Sequence, residues 1–262
     1  MQEDAVDDQE VSLVGGNMSA VVRRGQTVRR TAGPWTPTIH HLLDHLRRHG
    51  ITWLPRPLGI DERGREVLTY LPGTVPNYPL PPWVWTERVL TDAAARLAEL
   101  HQASAGFDVA DAVWQLPAHE PVEVICLNDV APYNMVFDTD HQLVAMIDID
   151  TASPGPRARD LAYLAYRLVP LTQAADTGYD AVSMTVRRQR LAQICRAYAA
   201  AGDQITVAAE DVLRTGVDRL NDLAAFTARR AAAGADQVAD HVQLYLDDAG
   251  WIERHLDDLQ PG

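Results

Sequence analysis

Residues 123–150, EVICLNDVAPYNMVFDTDHQLVAMIDID, constrain the fold of this chain more than any other stretch. Three short apolar runs, at 124–127, 135–137 and 143–147, have the length of buried strands. Pro132 interrupts the chain after the first run, and Asp138-Thr139-Asp140-His141 supplies hairpin chemistry between the second and third. Pairing across that hairpin brings Asn134 and Asp148 to the same end of the ribbon, with Asp129 on the loop leading into it. The pattern therefore predicts three oxygen-bearing side chains on one spot. A turn-forming or capping role explains Asp138 and Asp140 well, but explains three such residues spaced at strand ends poorly. One charged and one neutral oxygen, from Asp148 and Asn134, suit a hard cation such as Mg2+ that keeps some water and takes further oxygens from a phosphate. Asp129 is left to orient a nucleophile.

At 262 residues the chain is long enough for a sizeable core, most simply one catalytic unit of two lobes. No apolar run approaches the roughly 20 residues of a membrane span, and the acidic opening MQEDAVDDQE is the opposite of a signal peptide. A cytoplasmic protein is expected. Cys126 and Cys195 form neither a metal motif nor a disulfide framework, and are expected to pack as small hydrophobes. The formal charge of -13 argues against nucleic acid as a partner and favours a cationic one. All 23 basic residues are Arg. A phosphate clamp filled elsewhere by Lys must here be an Arg, whose fork matches phosphate oxygens, or be missing.

Along the chain, residues 11–31 read as a β-meander in which Gly15, Gly16, Asn17 and Ser19 lie between two strands, where glycine lets backbone N–H groups approach a polyphosphate. An ordinary hairpin turn is the competing reading of that short signal. Residues 36–50 predict a helix with Thr36 as N-cap, Pro37 in the first turn, Ile39, Leu42, Leu43 and Leu46 on one face, and Gly50 as the stop. A second hairpin follows over 56–71, then a proline-rich connector at 76–82. Helical spacing begins at Thr86 and resumes after a turn at Pro154-Gly155-Pro156, with further helices at 185–200, 208–233 and 237–259. The last is expected to bury Val238, Val242, Leu246, Ala249, Ile252, Leu256 and Leu259. From Asp203 onward 12 acidic residues stand against 5 Arg, which reads as a solvated face or, through Asp218, Asp222, Asp240, Asp247 and Asp248, as a surface for a cationic molecule.

The order D-x4-N-x13-D resembles the catalytic loop and metal-binding Asp of the protein-kinase-like superfamily. More closely, L-N-D-V-A-P-Y-N followed by I-D-I-D-x-A-x-P-G-P-R-x-x-D-L-A is similar to the aminoglycoside phosphotransferase family, also called the phosphotransferase enzyme family. The resemblance implies an α+β, protein-kinase-like two-lobed fold. It has an acidic tail (1–10), an N-terminal lobe with a small antiparallel β-sheet (11–75) and a mostly helical C-terminal lobe (76–262). It implies Asp129 as the catalytic base, Asn134 and Asp148 as Mg2+ ligands, ATP or GTP as donor, and a small hydroxylated acceptor such as an aminoglycoside-like antibiotic or a sugar. Arg30 falls at the phosphate-binding position of the third strand, with Arg29 the alternative one residue out of register. The backbone of Thr69, Tyr70 and Leu71 falls at the adenine-binding hinge, and Asp160 at a structural support of the catalytic loop. Two departures stand out: the helix that should supply a Glu partner for Arg30 offers only His40 and Asp44, and Leu127 replaces the usual His two residues before the catalytic Asp. They leave two other readings open, a nucleotide- or small-molecule-binding protein that has lost transfer and a metal-dependent hydrolase.

Overall fold

The structure, a computed structural model, describes residues 9–13, 21–172, 182–232 and 239–260. Gly15, Gly16, Asn17, Ser19 and Val238 lie outside the described residues. A five-stranded antiparallel sheet comes first, built from β1 (Val11–Leu13), β2 (Val21–Arg24), β3 (Thr27–Thr31), β4 (Pro57–Ile60) and β5 (Arg65–Thr69) in the order β1-β2-β3-β5-β4. The antiparallel pairing of β1, β2 and β3 and the β4–β5 hairpin match the expected strands. One helix, α1 (Thr36–Arg48), lies between β3 and β4 in the chain and buries Ile39, Leu42, Leu43 and Leu46. Each such side chain removed from water contributes roughly 1.5–3 kcal/mol. Thr36 does not cap it. Trp35 holds the cap position, while the Thr36 hydroxyl accepts from Gly33 N at 2.9 Å and closes the loop ahead of the helix.

Beyond the sheet the chain is mostly helical: α2 (Glu87–Ser104), α3 (Arg157–Leu168), α4 (Met184–Ala201), α5 (Ala209–Ala232), α6 (Ala239–Arg254) and α7 (Leu256–Leu259). Thr86 caps α2 through its hydroxyl. Two short ribbons are set against these helices: β6 (Val124–Cys126) with β9 (Ser153–Gly155), and β7 (Met135–Phe137) with β8 (Leu143–Met146). The expected turn at 154–156 is thus partly a strand, with Pro154 paired opposite Ile125 in a two-stranded ribbon that leaves proline an open edge. The final helix is two helices, broken at His255, whose ring nitrogen bonds the Trp251 carbonyl. Leu246 is 44% exposed rather than buried, because α6 turns Asp248 inward to accept hydrogen bonds from Tyr166 and Thr172.

The connector between sheet and helices is tied to the second ribbon. Thr74 N donates to Phe137 O at 2.8 Å and Phe137 N to Thr74 O at 2.9 Å. Gly73, at φ +150, allows this approach, since a Cβ there would stand 2.5 Å from Val136 Cγ1 and 2.6 Å from Phe137 O. The segment leaving β5 and the hairpin carrying Asn134 and Asp148 therefore share a hydrogen-bonded bridge.

Candidate active site

The β7–β8 hairpin pairs Met135 with Met146, and Ile147 N donates to Asn134 O at 2.9 Å, so Asn134 and Asp148 emerge at one end as the sequence predicts. Asp129, Asn134 and Asp148 line one small pocket. Asn134 Nδ2 donates to both the carbonyl and the Oδ2 of Asp129 at 2.9 Å, which leaves Asn134 Oδ1 as its acceptor atom. Asp148 sits at φ +62 with its side chain 53% exposed, turned out of the ribbon rather than along it.

The loop between β6 and β7 is braced from below by Asp160 on α3, fully buried, which accepts from Leu127 N at 2.7 Å and Asn128 N at 2.8 Å. This is the support the resemblance implies. Asp160 also bonds His101 Nε2 at 3.1 Å, and His101 Nδ1 bonds the Tyr198 hydroxyl. Leu127, where a hydrogen-bonding His is usual, packs in the core, and Asn128 carries the polar contacts instead. At φ +65 its Nδ2 donates to Thr151 O and Ser153 Oγ, its Oδ1 accepts from Arg159 Nε, and its carbonyl accepts from Arg219. His101, Cys126 and Asp160 lie within metal-ligand distance of one another. Burial pushes the Cys126 thiol well above its usual range, though, so it stays protonated, and both oxygens of Asp160 already accept hydrogen bonds.

On the sheet side, alternation along β3 turns Arg30 inward and leaves Arg29 beside Asp61 at the surface. The partner of Arg30 comes from neither His40 nor Asp44 but from the next strand. Glu66 stands directly opposite Arg30 in the β3–β5 register, 1% exposed, and accepts from Arg30 Nε, while His40 Nε2 bonds the other Glu66 oxygen at 2.9 Å. Burial alone would raise Glu66, but the His40 hydrogen bond and the Arg30 guanidinium outweigh it and hold the carboxyl below its ordinary value. Arg30 Nη1 reaches Asp148 Oδ1 at 2.9 Å and Nη2 reaches Asp150. Burial raises Asp150 to about 7, reinforced by Asp148 and Glu66 and opposed by Arg30. At the end of β5, Thr69 N donates to Arg56 O and Tyr70 N to Gln26 O, and Leu71 follows directly after the sheet.

These features agree with what comparison shows. The model of the phosphotransferase enzyme family matches residues 106–203, which span the β7–β8 ribbon. A trifolitoxin immunity protein of Rhizobium leguminosarum bv. trifolii is 32% identical over 192 residues, covering 70% of this chain and 72% of that one. The chain belongs to the phosphotransferase enzyme family. Its fold is protein-kinase-like: a choline/ethanolamine kinase family protein from Mesorhizobium loti superposes with a TM-score of 0.63 at 15% identity over 99% of this chain and 95% of that one. ADP-bound aminoglycoside phosphotransferase APH(2'')-Ib does so at 0.57 and 13% identity over 93% and 94%.

Within that family frame, sequence reasoning missed Glu66 and Asp150. Glu66 meets Arg30 only through the β3–β5 pairing, which the β4–β5 hairpin alone does not fix; Asp150 was visible as the second acid of I-D-I-D. Of the acidic residues considered for a cationic molecule, Asp248 is 2% exposed and structural. Asp218 and Asp222 line an open groove that they share with Arg157 and Arg159, and Asp222 pairs with Arg159 at 3.0 Å. Asp247 accepts from Gln243 on its own helix, and the Asp240 side chain lies outside what is described. Among the described residues no helix is long and apolar enough to cross a membrane.

Proposed function

We propose that this phosphotransferase moves the terminal phosphoryl group of a nucleoside triphosphate, ATP or GTP, to a hydroxyl of a small molecule, with Asp129 as the base that orients the hydroxyl and Mg2+ held by Asn134 and Asp148. The observation that carries this reading is the meeting of Asp129, Asn134 and Asp148 at one pocket, with the Arg30 guanidinium reaching Asp148. The donor set fits Mg2+: Asn134 presents Oδ1 because its amide nitrogen is engaged, and Asp148 presents an outward carboxylate. Bound there, the ion would neutralise phosphate charge as the bond to the leaving oxygen lengthens.

This chain's own residues do the rest. Asp129 keeps one oxygen in a hydrogen bond from Tyr133 and the other in one from Asn134, so its carboxylate is fixed in direction before an acceptor arrives. Arg30 contributes a guanidinium for phosphate oxygens, and backbone groups of Thr69, Tyr70 and Leu71 would hold the base. Gly15, Gly16, Asn17 and Ser19 would cover the phosphates. ADP in the similar structure supports a nucleotide donor. The immunity named for the R. leguminosarum relative supports a hydroxylated toxin or antibiotic as acceptor, beside sugars.

The test is mass spectrometry of purified protein with Mg-ATP or Mg-GTP and a panel of hydroxylated antibiotics and sugars. One compound should gain a phosphoryl group. Asp129→Ala should keep nucleotide affinity and lose transfer by about a hundredfold or more, and full turnover in that variant would sink the role of Asp129.

A further inference from the structure

Beside Asp129 lies a cation with no counter-ion among the described residues. Arg167, on the last turn of α3, is enclosed by tyrosines: its Cζ stands 5.6 Å from the centre of the Tyr133 ring, 5.1 Å from Tyr163 and 4.8 Å from Tyr166. Among the described residues no carboxylate lies within ion-pair distance of it. Arg30 and Arg159, by contrast, each pair with at least one acid.

A hydrogen-bond chain of fixed direction connects Arg167 to the site. Tyr133 donates to Asp129 Oδ1 at 2.7 Å. With that proton engaged, the Tyr133 oxygen must accept from Tyr163, 3.0 Å away, and the Tyr163 oxygen in turn accepts from Arg167 Nη2 at 2.7 Å. Nη2 is thereby used and Nε is buried without a partner, while Nη1 bonds nothing among the described residues. Tyr163 and Tyr166 are buried and form the floor. Asp129, Tyr133 and Arg167 are partly open to solvent, and Tyr78 of the proline-rich connector, 42% exposed, stands at the rim with its ring 6.3 Å from Tyr133.

The arrangement has a hydroxyl-orienting carboxylate at one end of a tyrosine face and an uncompensated guanidinium at the other. A half-covered cation is costly without a counter-charge, and an entering anion removes that cost while forming charge-assisted hydrogen bonds. A polycation would meet repulsion from the same group. Resting on the phosphotransfer reading above, we propose that the acceptor is a small hydroxylated molecule bearing an anionic group, its hydroxyl at Asp129 and its anion at Arg167. The chemistry names the class, a hydroxy acid or acidic sugar, and sets it against the cationic partner that the net charge of -13 suggests. Net charge is a property of the whole surface, whereas acceptor choice is made within the tyrosine cage.

Two sets of matched compounds test this: glucuronate, glucose and glucosamine, and glycerate, glycerol and 2-amino-1,3-propanediol. Each is titrated calorimetrically into the full chain with Mg2+ and a non-hydrolysable ATP analogue. In at least one set the acid should bind about tenfold or more tighter than its neutral counterpart, with the amine weakest. Arg167→Gln should abolish the preference for the acid and leave the affinity for the ATP analogue within about twofold; Arg167→Lys, which keeps the charge without the fork, should retain part of it. Amines that bind as well as acids, acids without saturable binding, or an acid preference that survives Arg167→Gln would each overturn the inference, and the first two are read on the unaltered protein, independent of whether a variant folds. Nucleotide binding is measured first. Its absence would defeat the phosphotransfer reading itself, whereas nucleotide binding without acid preference defeats only the anionic acceptor.

Discussion

At Arg30 a single guanidinium faces three carboxylates, Glu66, Asp148 and Asp150, two of which come from the catalytic ribbon. One positive charge faces more than one negative charge, a local negative excess that a divalent cation would reduce. Glu66 is what keeps Arg30 on the sheet side of this group, because it binds Nε from the adjacent strand and is itself held by His40. Replacing it by Gln retains the shape and removes the charge at a site 1% exposed. The expected result is a loss of about 1–3 kcal/mol in urea unfolding and a weaker affinity for Mg-nucleotide, since Arg30 would then be held by Asp148 and Asp150 alone. The sign of the pH effect follows from a folded value held below the ordinary 4.5. The stability Glu66 contributes is present above its unfolded value and lost as pH falls through the folded one, so Glu66→Gln should flatten the acid limb of the stability profile. A variant with wild-type stability at every pH would show that the ion pair contributes nothing. The sequence made Arg30 legible through strand alternation, but its partner depended on which strand lies beside β3, and that is a long-range pairing no local pattern carries.

Elements, rather than single residues, hold the catalytic loop. β6 ends at Cys126, α3 supplies Asp160, α2 supplies His101, and α5 supplies Arg219, so four separated segments meet under Leu127 and Asn128. The loop therefore keeps its shape although Leu127 cannot hydrogen-bond through its side chain. Asp160→Asn tests this arrangement. An amide can accept through only one oxygen, so at least one of the two loop N–H groups or the His101 ring loses its partner in a fully buried place, at about 1–3 kcal/mol for each group left unpaired. Hydrogen exchange should show faster opening at the Leu127 and Asn128 amides than elsewhere in the core, and transfer should fall along with it. Unchanged protection at those two amides would assign the loop's rigidity to packing. The helices and ribbons were legible because their apolar periodicity is strong, and Asp160 was legible through the motif. Thr36, the 154–156 strand and the break at His255 were not, because each is decided by a partner elsewhere: Gly33, β6 and the Trp251 carbonyl.

Over the whole molecule, the sheet side and the helical part are coupled, among other contacts, through the Arg30 cluster and the bridge between Thr74 and Phe137. Both end on the ribbon that presents Asn134 and Asp148. A ligand that bridges the sheet and this ribbon should therefore stabilise the entire chain rather than one part of it. Mg-nucleotide at about a hundred times its dissociation constant adds roughly 2.7 kcal/mol if only the folded state binds it. For a protein of this size each kcal/mol moves the midpoint by about 2–4 °C, so thermal unfolding should rise by about 5–10 °C in a single cooperative transition. Chelation of Mg2+ should remove most of the rise. On the proposed roles, Asp148→Ala should remove it too by deleting the charged ligand, whereas Asp129→Ala, which deletes the carboxylate assigned to the acceptor, should leave it intact. The contrast between these two substitutions separates a metal-binding role from an acceptor-orienting one within a single pocket. Gly73→Ala gives a third arm: a Cβ pressed against Val136 and Phe137 O should break the bridge. Two separate transitions in that variant, with the nucleotide rise confined to one, would mean that the connector is what makes the lobes unfold together. A nucleotide rise that is the same with and without chelator would instead place binding outside the Asn134 and Asp148 site.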